Sequence, residues 1–223
     1  MEYGQFCPIA KASEIIGEKW TILIIREILI AGSNRFTDLQ RGLGTISPTL
    51  LPRRLTDLEK AGLLIKKKIQ GRRGFEYFPT ASCEELRPVL LSIGGWGMKW
   101  TRANLTPRDY NAELLMHYLQ RSIVPEKLPG KESVIQFSFS DMADKSNWWL
   151  LVQGNNVDTC DRDPGKDVDI YINTTVAIMS DVWTGRTTYR KAMADDTLSI
   201  VGPSALINNV STWMNNSVFS DIQ

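Results

Sequence analysis

Arg53 and Arg54 stand among Leu51, Leu55 and Leu58, whose spacing is that of one helix face, and neither arginine uses that face. A few residues later Lys66, Lys67, Lys68, Arg72 and Arg73 crowd around Gly71 and Gly74. A guanidinium fork pairs two acceptors at once, as on a guanine edge, and lysines neutralise phosphate without regard to sequence. The residues that would do other chemistry are sparse. His117 is the only histidine, which removes multi-histidine metal sites and leaves one imidazole to serve any nucleophile. Cys7, Cys83 and Cys160 are scattered with no CxxC pair, so neither a zinc site nor a disulfide framework is expected. No Walker loop is present, and Gly94-Gly95-Trp96-Gly97 follows no strand. The acidic run at 158–167 fails as a calcium loop, because counting from Asp161 puts Lys166 at the glycine position and Ile172 at the bidentate position. We therefore expect no metal, no cofactor and no enzyme, and read the acidic run as a solvated turn.

The elements that must position these cations follow from periodicity. Residues 8–16 have helical spacing, 19–30 form a strongly apolar helix, and Gly17 separates them. Ser33-Asn34 opens a helix carrying Phe36, Leu39 and Leu43, which Gly42-Leu43-Gly44 ends. Ser47-Pro48 reads as an N-cap and first-turn proline for the helix of Leu51, Leu55, Leu58 and Ala61, closed by Gly62. Pro52 inside it removes a backbone donor, so this helix is expected to bend or to start late. Runs at 63–69 and 75–78 read as a hairpin tipped by two arginines, and helical spacing resumes over 84–103. Helix, helix, turn, helix and basic hairpin is the order of a winged helix-turn-helix.

Charge divides the 223 residues near Leu105. Residues 1–105 carry 16 Lys/Arg and 10 Asp/Glu, a balance of +6, whereas the remainder carries 10 and 15, a balance of −5. Two domains are expected, 1–105 and 106–223, with different partners. Apolar runs fall far short of the ~20 residues a membrane span needs, and no signal-peptide pattern opens the chain, so we expect a cytoplasmic protein.

The first domain resembles the HxlR family of bacterial winged-helix regulators. The likeness rests on Cys7-Pro8-Ile9, Ile16-Gly17, Lys19-Trp20, Arg26-Glu27, Arg35-Phe36, Leu39, Ile46-Ser47-Pro48, Leu51, Arg54-Leu55, Leu58-Glu59 and Gly62-Leu63. It continues with Tyr77, Thr80, Leu86, Val89-Leu90 and Gly97. The resemblance implies a repressor or activator that binds a palindromic duplex operator as a homodimer joined through its terminal helices. Carried onto this chain, it makes Ser47, Thr49, Arg53 and Arg54 groove-facing, and Arg72 and Arg73 wing contacts, with Lys68 beside them on phosphate. Several members use the cysteine before this proline as a sensor of oxidants or electrophiles. The position of Cys7 just ahead of a helix would favour its thiolate, and the alternative is a cysteine that merely packs.

The second half reads as α+β. A helix at 112–120 precedes strands at 134–139 and 148–152, an alternating run at 168–172 and a helix at 174–184. A further helix at 186–193, a strand at 198–201 and a helix over 203–214 follow. Trp149-Leu150-Leu151-Val152, the segment 167–171, Val182-Trp183 with Gly185-Arg186, and Ile200-Val201-Gly202-Pro203 resemble the sterol-carrier-protein-like fold. That resemblance implies a small hydrophobic effector, with Trp148, Trp149, Met179, Trp183, Met193, Trp213 and Met214 as candidate pocket residues. Ordinary core, or a ligand-free assembly module, is the alternative.

Overall fold

The computed structural model describes residues 2–71 and 73–222 and forms two compact units, Met1–Gly94 and Gly95–Gln223. The first unit begins with α1 (Pro8–Ile16), α2 (Thr21–Leu29), α3 (Phe36–Leu43) and α4 (Leu50–Lys60). A hairpin of β1 (Leu64–Lys68) and β2 (Phe75–Pro79) comes next, then α5 (Ala81–Glu84) and α6 (Arg87–Trp100), within which the division falls. Helix α2 is the hub, burying Thr21, Ile24, Ile25, Glu27, Ile28 and Leu29. Against it collect Leu39 and Leu43 of α3, Leu51, Leu55 and Leu58 of α4, Leu64 and Tyr77 of the hairpin, and Leu90 of α6.

Glu27 is fully buried and receives Arg26 at 2.7 Å, while the same guanidinium donates to the Gly42 carbonyl at 2.9 Å, tying α2 to the end of α3. The N–H of Tyr77 donates to the Asn34 carbonyl at 2.8 Å, and Arg35 pairs with Glu76 in an isolated antiparallel bridge that periodicity had not revealed and that braces the hairpin. By contrast, α1 buries no residue at all, and α6 buries only Leu90.

The second unit contains α7 (Ala112–Ser122), β3 (Glu132–Phe139), β4 (Asn147–Gln153), β5 (Asn156–Cys160) and β6 (Ile170–Thr174). It ends with α8 (Val176–Trp183), α9 (Tyr189–Ala194), β7 (Ser199–Val201), α10 (Ser204–Asn208) and α11 (Val210–Trp213). The five strands lie in the order β5-β4-β3-β6-β7, with β3 and β6 parallel and the other pairs antiparallel. Ile135, Phe137 and Phe139 of β3 and Trp148, Leu150 and Val152 of β4 share one face, which packs against residues of α7, α8, α9 and α11. Side-chain caps open three of these helices: Asn111 accepts from Leu114, Thr175 from Ile178 and Thr188 from Lys191.

Two expectations for this half change. The helix expected over 203–214 is two short helices meeting at Asn209, and the acidic run begins as edge strand β5 before it turns. Alternation was too weak to betray that strand, because an edge strand presents polar residues on both sides.

Candidate nucleic-acid interface

Helix α3 ends at Gly44, whose φ of 58° suits glycine, and the chain turns through residues 44–49 into α4. The Oγ of Ser47 accepts the Leu50 N–H at 3.1 Å, and the Ser47 carbonyl accepts Leu51 N–H at 3.3 Å. These bonds close the turn ahead of the helix, whose N-cap position falls at Thr49 rather than at the expected Ser47, with no side-chain capping bond. Because α4 starts at Leu50, Pro52 is its third residue, where the missing N–H had no intrahelical partner to lose. The late start resolves the proline.

Leu51, Leu55 and Leu58 are at most 2% exposed, which fixes the rotation of α4. Thr49, Arg53, Thr56 and Lys60 are exposed and follow one another three or four residues apart along the outer face. Sequence reasoning missed Thr56 and Lys60, although the same period that gave Arg53 contains them. The Thr56 hydroxyl donates to the Pro52 carbonyl at 3.0 Å, whereas the Thr49 hydroxyl lies 3.1 Å from that of Ser47.

Arg54 departs from the sequence expectation. Its side chain is 13% exposed, with Nη2 on Glu18 at 2.8 Å, Nη1 on Asp57 at 3.4 Å and Nε on the Lys19 carbonyl at 3.3 Å. One residue along a helix rotates a side chain by about 100°, so its neighbour Arg53 faces outward while Arg54 faces the corner between α1 and α2.

The hairpin pairs Leu64 with Pro79 through Lys68 with Phe75 in register. The Lys66 ammonium stands over the Phe75 ring at 4.2 Å and that of Lys67 over Phe78 at 5.0 Å, so each charge rests against an aromatic face of the hairpin. Lys68 and Arg73 are exposed beside a tip made by Gly71 and Gly74, at φ 71° and 118°. Arg72, the other tip arginine, lies outside the described residues. The base of the hairpin is locked by Thr80, whose hydroxyl donates to the Gly62 carbonyl at 2.8 Å and accepts from the Cys83 N–H.

Cys7 precedes α1 without a side-chain capping bond and is half-buried. The seven candidate pocket residues do not share one cavity. Trp149 lies on the opposite face of the sheet from Trp148. Trp148, Met179, Trp213 and Met214 are core residues at most 5% exposed, and Trp183 and Met193 pack against that core half-buried. The indoles are satisfied within the unit: Trp148 donates to the Lys145 carbonyl, Trp213 to the Leu206 carbonyl and Trp183 to the Ser122 hydroxyl, each at 2.9 Å. Among the described residues no cluster of three or more His, Cys, Asp and Glu could hold a metal ion, and no helix is long and apolar enough to cross a membrane.

Helix, turn, helix and a basic hairpin in this order define a winged helix-turn-helix protein. The family model described as HxlR-like helix-turn-helix matches residues 15–105. Bacillus subtilis YvaP, an uncharacterized HTH-type transcriptional regulator, is 31% identical over 102 residues, covering 45% of this chain and 94% of the relative. The Synechocystis regulator sll1512, of the same description, is 34% identical over 102 residues, covering 44% and 73%. Among solved structures, the redox regulator HypR in its oxidized form is 27% identical, covers 41% of this chain and 95% of its own, and superimposes with a TM-score of 0.39. The chain belongs to the HxlR-like helix-turn-helix family of transcriptional regulators.

Proposed function

We propose that this regulator binds a palindromic duplex operator as a homodimer, with α4 in the major groove and the hairpin tip over the adjoining minor groove. The observation that carries this reading is the rotation of α4. Its three leucines are buried in the core, which leaves Thr49, Arg53, Thr56 and Lys60 outward on a helix of the size the major groove admits. Within that face Arg53 is the base reader, Ser47 and Thr49 contact the backbone near the start of the helix, and Lys68, Arg72 and Arg73 contact flanking phosphates. Arg54 leaves the set of readers, since its donors are engaged inside the protein.

The dimer reading draws on the uncovered terminal helices. Phe6 and Ile9 are 100% and 77% exposed at α1, and Val89, Ile93, Trp96 and Trp100 form an exposed stripe at helical spacing along α6. A second copy of the same helices would bury this apolar surface.

We assign residues 1–105 to DNA binding and 106–223 to a sterol-carrier-like regulatory domain. A mixed five-stranded sheet with helices on one face supports that second assignment. A small hydrophobic effector would have to enter the core around Met179, Trp213 and Met214, and native mass spectrometry of the purified protein tests for it. No apolar adduct and no shift in melting temperature with a fatty-acid panel would leave the domain an assembly module.

Operator binding is tested by selecting duplexes from a randomised pool. Arg53→Ala should then lose about 1–3 kcal/mol on the selected duplex and relax the preference at one position per half-site. Unchanged affinity would remove Arg53 from the interface.

A further inference from the structure

Resting on the DNA-binding reading above, we infer that Arg54 is a positioning residue: it clamps the recognition helix α4 to the corner between α1 and α2 and touches no DNA. The guanidinium is directed at three acceptors on two parts of the fold. Glu18 and the Lys19 carbonyl lie in the linker between α1 and α2, and Asp57 lies one turn further along α4. The Nη2 to Glu18 distance of 2.8 Å is that of a charge-assisted bond.

The linker is a firm anchor. It ends at Trp20, held in the left-handed region at φ 79°, and passes directly into α2, the helix with six buried residues at the centre of the unit. The clamp therefore joins the reader helix to the part of the unit least able to move. Beside it runs a cleft of about 320 Å³, bordered by Glu14, Glu18 and Thr21 on one side and Arg53, Asp57 and Ala61 on the other. That open space leaves α4 room to rock once the guanidinium is cut.

Charge argues the same way. An arginine already matched to Glu18 and Asp57 adds little to counterion release, whereas a phosphate-bound arginine adds about 0.9 to the salt dependence of affinity. Lysine separates the two roles as well, since it can replace a point contact to phosphate but cannot reach three acceptors in one plane.

The test uses the full-length protein and the duplex that the wild-type chain selects from a randomised pool. Affinity is read by fluorescence anisotropy across a KCl series, at a temperature where circular dichroism shows each variant folded. Arg54→Ala, Arg54→Lys and Glu18→Gln should each weaken binding on the order of tenfold, and the Arg54→Ala/Glu18→Gln pair should be no worse than either single change. The slope of log affinity against log salt should stay at the wild-type value in all of them. If Arg54→Ala does not fold, Arg54→Lys and Glu18→Gln decide the question in its place. Rescue by lysine, a slope flattened by about 0.9 in Arg54→Ala, or unweakened binding in Glu18→Gln would each overturn the clamp. A wild-type chain that selects no duplex overturns the DNA-binding reading itself, and the clamp with it.

Discussion

At the scale of single residues, the three cysteines show how far type and position fall short of environment. Cys83 is fully buried on the short helix that packs beside the hairpin, and burial pushes its thiol up to about 11, with Glu84 adding to the shift and Arg87 opposing it. Burial also raises the Cys160 thiol, helped by Asp158 and Asp161. Cys7 stands half-buried ahead of α1. Because the thiolate is the nucleophile, iodoacetamide at about pH 8 should label Cys7 first, Cys160 more slowly and Cys83 only after unfolding. Peptide mass spectrometry over time gives the order, and early labelling of Cys83 would contradict it. The sequence places Cys7 at a helix start, but nothing in it ranks the other two, whose neighbours are set by folding. Arg53 and Arg54 repeat the lesson. Their chemistry was legible, yet two of the three acceptors that claim Arg54 are 35 and 36 residues away in the chain.

Elements were more legible than residues, because hydrophobic period survives without knowledge of partners. The leucines of α4 and the glycine-tipped hairpin were both readable, and α1 and the hairpin strands fell where their spacing put them. What escaped was structure with little periodicity: the bridge at Arg35, edge strand β5 and the break at Asn209. Helix α4 also supplies a direct test of its late start. Pro52 is the third helical residue and sacrifices no helical bond, so Pro52→Ala should leave the urea midpoint nearly unchanged, within about 0.5 kcal/mol. Thr56→Pro, one turn later on the same outer face, removes the bond to the Pro52 carbonyl and drives a ring into it, and should cost about 3 kcal/mol. A large gain in stability from Pro52→Ala would mean that the helix begins earlier than Leu50.

For the whole molecule, the division of charge was readable from composition, whereas the two compact units part between Gly94 and Gly95, within α6. The two separate cores were not readable there, since they depend on which buried groups meet. Those cores share a property that the net charge conceals. In the first unit burial raises the Cys83 thiol and, together with Glu59, the Tyr77 phenol; in the second, burial pushes the Tyr189 phenol well above its ordinary value. Each group stays protonated in the native protein after the unfolded chain would have released its proton. The native state then holds more protons, so stability falls as pH rises. The contribution of Cys83 is intact below pH 9 and is lost between there and about 11, with the two phenols extending the loss to higher pH. Urea midpoints measured by far-UV circular dichroism should therefore decline steadily above about pH 9, while indole fluorescence follows the second unit, which contains six of the seven tryptophans. Cys83→Ser removes the thiol's share of the decline in the first unit and leaves the fluorescence-detected transition of the second where it was. A midpoint independent of pH up to about 10.5 would show that these groups are less shielded than their packing implies.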